Sequence, residues 1–113
     1  MTFIEIASMI ESTGLPNAYR QFKKNTAQPL PFICFYYDQS GDEYADNSNY
    51  QSIERLYIEL YSADKDFESE AVIEAALANA GLTWFREETY IASEELYEVI
   101  YQADVLINQE ESE

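Results

Sequence analysis

The stretch Ile53–Leu82, IERLYIELYSADKDFESEAVIEAALANAGL, changes its hydrophobic period in the middle, and that change decides the fold class. Its first third alternates: Leu56, Ile58 and Leu60 fall on one side of an extended chain, and Arg55, Tyr57, Glu59 and Tyr61 on the other. One face is expected in a core and the other in a wetter setting. After ADKD the apolar residues follow a helical period instead. Val72, Ile73, Ala76, Leu77 and Ala80 form a stripe, with acids in the first turn and Gly81 where a helix would stop. A half-buried strand leading directly into an amphipathic helix points to a sheet with helices laid on it.

The flanking segments extend this pattern. Toward the N-terminus, Thr2 and Glu5 have the spacing of a capping box, and Phe3, Ile6, Ala7 and Ile10 share one helical face before Gly14 and Pro16 end the helix. AYRQF reads as a short strand. Pro29 and Pro31 then hold the chain extended into FICFYY, an apolar run expected to be a central strand. Toward the C-terminus, LTWFREETYI and ELYEVIYQADVLI read as two further strands, the second alternating Tyr97, Val99, Tyr101 and Ala103 against Glu98, Ile100, Gln102 and Asp104. The expected fold is α+β in the order α-β-β-β-α-β-β, with two helices on a mostly antiparallel sheet of four to five strands. A single domain over residues 1–107 and a flexible acidic tail over 108–113 complete the expectation.

Composition limits the function classes. The 113 residues carry a net charge of −16, from 22 acidic and 6 basic residues. Nucleic-acid binding depends on Lys and Arg displacing counterions, so this balance argues against specific nucleic-acid partners, and equally against anionic membranes. No apolar run approaches the roughly 20 residues of a membrane span, and the acidic start does not resemble a signal peptide, which makes a cytoplasmic protein the expectation.

Histidine is absent, which removes the usual general base and the common nucleophilic triads. The three glycines do not form a phosphate-binding turn, and Cys34, the only cysteine, sits inside FICFYY as a small apolar residue. The expectation is a protein without enzymatic activity, cofactor or metal. The loop DQSGDEYADNSNYQS alternates acids as a calcium loop does. However, its sixth position is Glu43 where glycine is needed and its twelfth is Asn49 where glutamate is needed, so it reads as a solvated, projecting acidic loop. The carboxylate pairs Glu87–Glu88 and Glu94–Glu95 are what so acidic a chain yields by chance.

The ten tyrosines point elsewhere. Tyrosine offers a large amphipathic contact area at low rotamer entropy and is enriched at interfaces, and Tyr57, Tyr61, Tyr97 and Tyr101 recur at strand spacing. Basic residues are also clustered: Arg20, Lys23 and Lys24 are half of the total. Such a chain suits assembly better than catalysis.

Four segments in order, IESTGLPNAYRQF (10–22), PLPFICFYY (29–37), IELYSADKDFESE (58–70) and EETYIASEELYEVIYQADV (87–105), together resemble the tail-terminator, or head-to-tail joining, proteins of siphovirus-like phages and prophages of Gram-positive bacteria. The connection KKNTAQPLPF and the alanine-rich helix depart from that family's pattern. The resemblance implies a small subunit that forms a ring, typically a hexamer, on the head-proximal end of the tail tube. Its implied partners are further copies of itself, the major tail tube protein and head-to-tail connector proteins, first in the host cytoplasm and then in the virion. On this reading Arg20, Lys23, Lys24, Tyr57 and Tyr61 are candidate subunit or tail-docking residues, and Asp38, Asp42, Glu43 and Asp46 a candidate channel-lining acidic loop. The alternative is an acidic DNA mimic that occupies a host DNA-binding enzyme.

Overall fold

The computed structural model describes residues 1–22, 28–39 and 51–108. Helix α1 (Phe3–Glu11) starts at the expected capping box: the Glu5 N–H donates to Thr2 Oγ1 at 3.1 Å and the Thr2 N–H donates to Glu5 Oε1 at 2.9 Å. At its other end Thr13 acts as a relay. Its hydroxyl donates to the Ile10 carbonyl at 2.7 Å and accepts the Leu15 N–H at 3.2 Å, before Gly14 turns the chain at φ 78°.

Strand β1 (Asn17–Tyr19) is shorter than AYRQF suggested, because Arg20 adopts φ 69° and turns the chain out of the strand. A cis Leu30–Pro31 peptide precedes β2 (Phe32–Gln39), and β3 (Gln51–Ser62) follows. Helix α2 (Phe67–Asn79) is capped by Asp66, whose carboxylate accepts the Ser69 N–H at 3.0 Å. It ends in a Schellman motif: Gly81, at φ 78°, donates to the Ala78 carbonyl and Leu82 to that of Leu77. Strands β4 (Phe85–Ile91) and β5 (Leu96–Asn108) close the chain of elements. Asn108, the first residue of the expected tail, belongs to β5, and its N–H donates to the Met1 carbonyl; the remaining tail residues lie outside the described residues.

The strands form one five-stranded sheet in the order β1-β2-β3-β5-β4, antiparallel except for the parallel β1–β2 pair. The fold is therefore α+β with the expected element order. FICFYY is an interior strand, but the middle of the sheet is β3.

Register determines which side chains share a face. The rows Ile33–Leu60–Val99, Phe35–Ile58–Tyr101 and Tyr37–Leu56–Ala103 run across β2, β3 and β5 on one side. Val105 and Ile107 extend that side along β5, and Ile6 and Ile10 of α1 and Ile73 and Leu77 of α2 pack onto it. The whole hydrophobic cluster therefore lies on one face, and both helices cover that face. Val72, expected in the α2 stripe, is exposed, whereas Glu70 is buried in its place.

Glu70 is 3% exposed and accepts hydrogen bonds from Lys65 Nζ at 2.6 Å and Arg86 Nη1 at 3.3 Å. Arg86 also donates to Glu74 at 2.8 Å, Glu74 accepts the Tyr101 hydroxyl at 2.9 Å, and Lys65 pairs with Glu88. These bonds hold Lys65 above the usual lysine range and tie α2 to β4 and β5. No helix among the described residues is long and apolar enough to cross a membrane.

Candidate functional site on the open sheet face

Among the described residues, no helix packs on the opposite face of the sheet. Alternation along β2, β3 and β5 puts Phe32, Cys34, Tyr36 and Asp38, then Arg55, Tyr57, Glu59 and Tyr61, then Glu98, Ile100, Gln102 and Asp104 on that side. In a sheet packed on one side this face would be expected to be polar. Here aromatic rings occupy much of it, and several are half-buried.

The rings form a connected set. Tyr36 and Tyr57, directly opposed in the β2–β3 register, stack with centroids 5.0 Å apart and planes at 15°. Phe32 and Tyr61, also opposed, lie 5.2 Å apart, and Phe22 meets Phe32 edge-on at 5.2 Å. Glu59 joins the two ring pairs by accepting the hydroxyls of Tyr36 at 3.0 Å and Tyr61 at 2.8 Å. Tyr61 also lies 3.0 Å from Glu98. A phenol has one proton, so Glu59 and Glu98 compete for it.

This arrangement suppresses phenol ionisation. Burial and the adjacent Glu59 carboxylate push Tyr36 up to about 12. Tyr61 is pushed up further by burial, by its hydrogen bond to Glu59 and by the charge of Glu98. Both remain hydrogen-bond donors at neutral pH. Burial, with Glu59 adding to it, also pushes the Cys34 thiol up, which fits an inert apolar side chain 5% exposed between strands.

Arg20 flanks this set. Its left-handed φ turns it out of the β1 edge, and its guanidinium lies 5.3 Å from the Tyr36 ring centroid and 5.6 Å from that of Tyr19, donating to the Tyr37 carbonyl at 3.4 Å. Among the described residues Arg20 makes no ion pair, whereas Arg55, Lys65 and Arg86 each pair with carboxylates. A groove of about 480 Å³, lined in part by Arg20, Phe22, Phe32, Cys34, Tyr61 and Leu96, crosses this end of the face.

Three of the expected interface residues, Arg20, Tyr57 and Tyr61, thus come together through Tyr36 and Glu59. Lys23 and Lys24 lie outside the described residues, as do Asp42, Glu43 and Asp46. Asp38 is not a loop residue. The β2–β3 pairing extends to Gln39 and Glu54, which places Asp38 opposite Arg55 on the open face, where Arg55 Nε donates to Asp104 at 3.1 Å.

The recurring tyrosines do not act as one group. Tyr57 and Tyr61 lie on the open face, whereas Tyr101, 1% exposed, belongs to the core and Tyr97 shares its side. The adjacent pair Glu87–Glu88 is also split between faces: Glu88 meets Lys65, and Glu87 faces Ile100 on the open side. Among the described residues no cluster of His, Cys, Asp or Glu side chains could hold a metal ion.

Tyr36 and Glu59, the centre of the set, did not stand out in the sequence. Tyr36 lies in a run that is apolar at every position, so its period-2 signal is hidden; Glu59 stands between Tyr57 and Tyr61, and that spacing was the available signal. No protein-family model matches this chain, and no curated protein matches it.

Proposed function

We propose that this chain is an assembly subunit of the tail-terminator kind: it closes into a ring, typically a hexamer, on the head-proximal end of a phage or prophage tail tube, ends tube growth and joins tail to head. One observation carries the reading. A sheet face that carries no helix among the described residues presents the half-buried aromatic set of Phe32, Tyr36, Tyr57 and Tyr61, held by Glu59 and Glu98 and flanked by Arg20. Aromatic residues with polar tips, and arginine, are the residue types that dominate protein interfaces. Their pre-ordering by stacking and hydrogen bonds lowers the entropy lost on association.

Charge sets the remaining requirement. Subunits that each carry −16 repel one another, so ring closure needs local contacts strong enough to oppose that field. Arg20, with Lys23 and Lys24 near it in sequence, supplies the positive counterpart for an acidic patch on a neighbour. Asp38, Asp42, Glu43 and Asp46 then bring like charge to a channel through which DNA passes, keeping the duplex off the wall over about 8 Å at physiological salt. The DNA-mimic alternative calls for carboxylates spread over one long face. Glu70, Glu74 and Glu88 are instead engaged with Lys65 and Arg86 on the helix side.

The test is tube growth. Tail tube protein polymerised with this chain should stop elongating and show a ring at one end by electron microscopy. Tubes that keep growing with no density at either end overturn the proposal.

A further inference from the structure

A second concave site lies on the helix side, between α1 and strands β1, β2 and β3. The groove has a volume of about 670 Å³ and is lined by Phe3 and Ala7 of α1, Tyr19 of β1, Phe35 and Tyr37 of β2, and Glu54 of β3. Its rings form a continuous wall: Phe3 meets Tyr37 edge-on at 4.9 Å, Tyr19 meets Phe35 edge-on at 5.4 Å, and Tyr19 and Tyr37 lie 5.9 Å apart. Glu54 accepts the Ser52 hydroxyl at 3.2 Å and makes no ion pair among the described residues.

We infer that this groove receives an arginine side chain presented by a partner polypeptide. The argument is one of complementarity. Aromatic faces attract a cation through their quadrupoles, and a carboxylate beside them supplies the counter-charge. Guanidinium is the cation that stacks flat on rings and pairs with a carboxylate at the same time. Phe3 is 39% exposed and Tyr19 49%, so the walls are open to solvent. That shape suits a side chain delivered from outside; a small-molecule pocket encloses most of its ligand. The net charge of −16 adds long-range attraction for basic segments. Arg20, whose guanidinium lies 5.6 Å from the Tyr19 centroid, borders both this groove and the open sheet face, so the incoming arginine is placed on the Phe3, Tyr37 and Glu54 side; the inference does not rest on the assembly role proposed for the open face.

The test uses a short blocked peptide with a single arginine, its citrulline isostere and free methylguanidinium, followed by backbone amide shifts in the full chain. The arginine peptide should shift Ala7, Tyr19, Tyr37 and Glu54 saturably, and citrulline, which keeps the shape and loses the charge, should bind at least about fivefold more weakly. Glu54→Gln should weaken the arginine peptide about threefold. Phe3→Ala, which leaves Ile6 and Ile10 in place, should weaken it about two- to fivefold. Equal binding of citrulline, no loss in Glu54→Gln, no saturable shift, shifts centred elsewhere, or tighter binding of methylguanidinium than of the peptide would each overturn the assignment.

Discussion

Glu70 offers a test in which the sign and the size of the effect both follow from where the charges sit. Its side chain is 4% exposed and its two oxygens are held by Lys65 and Arg86, which have second partners in Glu88 and Glu74. Glu70→Ala loses two charge-assisted bonds but also removes the desolvation penalty of a buried carboxylate. It strands no charge, because both cations retain a carboxylate. The expected cost is about 1–2 kcal/mol.

The double substitution Lys65→Met/Arg86→Met keeps most of the apolar stems yet leaves Glu70 buried without a cation, which costs about 3–5 kcal/mol. The two outer pairs, more exposed, add less than about 1 kcal/mol each. Urea unfolding followed by circular dichroism should therefore show the double variant about 3 kcal/mol less stable than Glu70→Ala at neutral pH. Adding Glu70→Gln to the double variant should restore most of the loss, and keeps the test readable if the double variant does not fold. A double variant no worse than Glu70→Ala, or no recovery on adding Glu70→Gln, would refute the reasoning.

Two further outcomes are expected. Tyr36 holds its proton up to about 12 in the folded state against 10.0 ordinarily, so the folded state binds more protons than the unfolded one between those values; stability should be intact below pH 10.0 and fall as pH rises toward 12, read by urea midpoints across that range. Gly81→Ala meets no steric neighbour but forces a side chain onto φ 78°. The left-handed penalty, less the entropy taken from the unfolded chain, predicts a loss of about 1 kcal/mol in the same assay.

Much of the architecture is legible in the sequence because its signals are local. The Thr2–Glu5 box, Gly81 and the alternation of β3 each specify their own element without reference to distant residues. The open face is harder to read. In FICFYY both faces are apolar, so Tyr36 looks like a core residue until pairing with β3 places it against Tyr57. Glu70 reads as an ordinary first-turn acid, since the cations that allow its burial come from positions 65 and 86. Tyr57 and Tyr101 look equivalent by spacing alone, and the register of β3 against β5 separates them into opposite faces. Asp38 reads as loop because β2 continues past its apolar run, as β3 does before its own.

The central claim is that the open face is the surface through which this subunit assembles, and contact mapping at two positions tests it most directly. A photo-crosslinking residue placed at Tyr57, on the open face, should give covalent adducts with neighbouring subunits or tail protein when the chain is mixed with tail tubes. The same residue at Val72, exposed on the helix layer, should give none. Adducts from position 72 and none from position 57 would contradict the account.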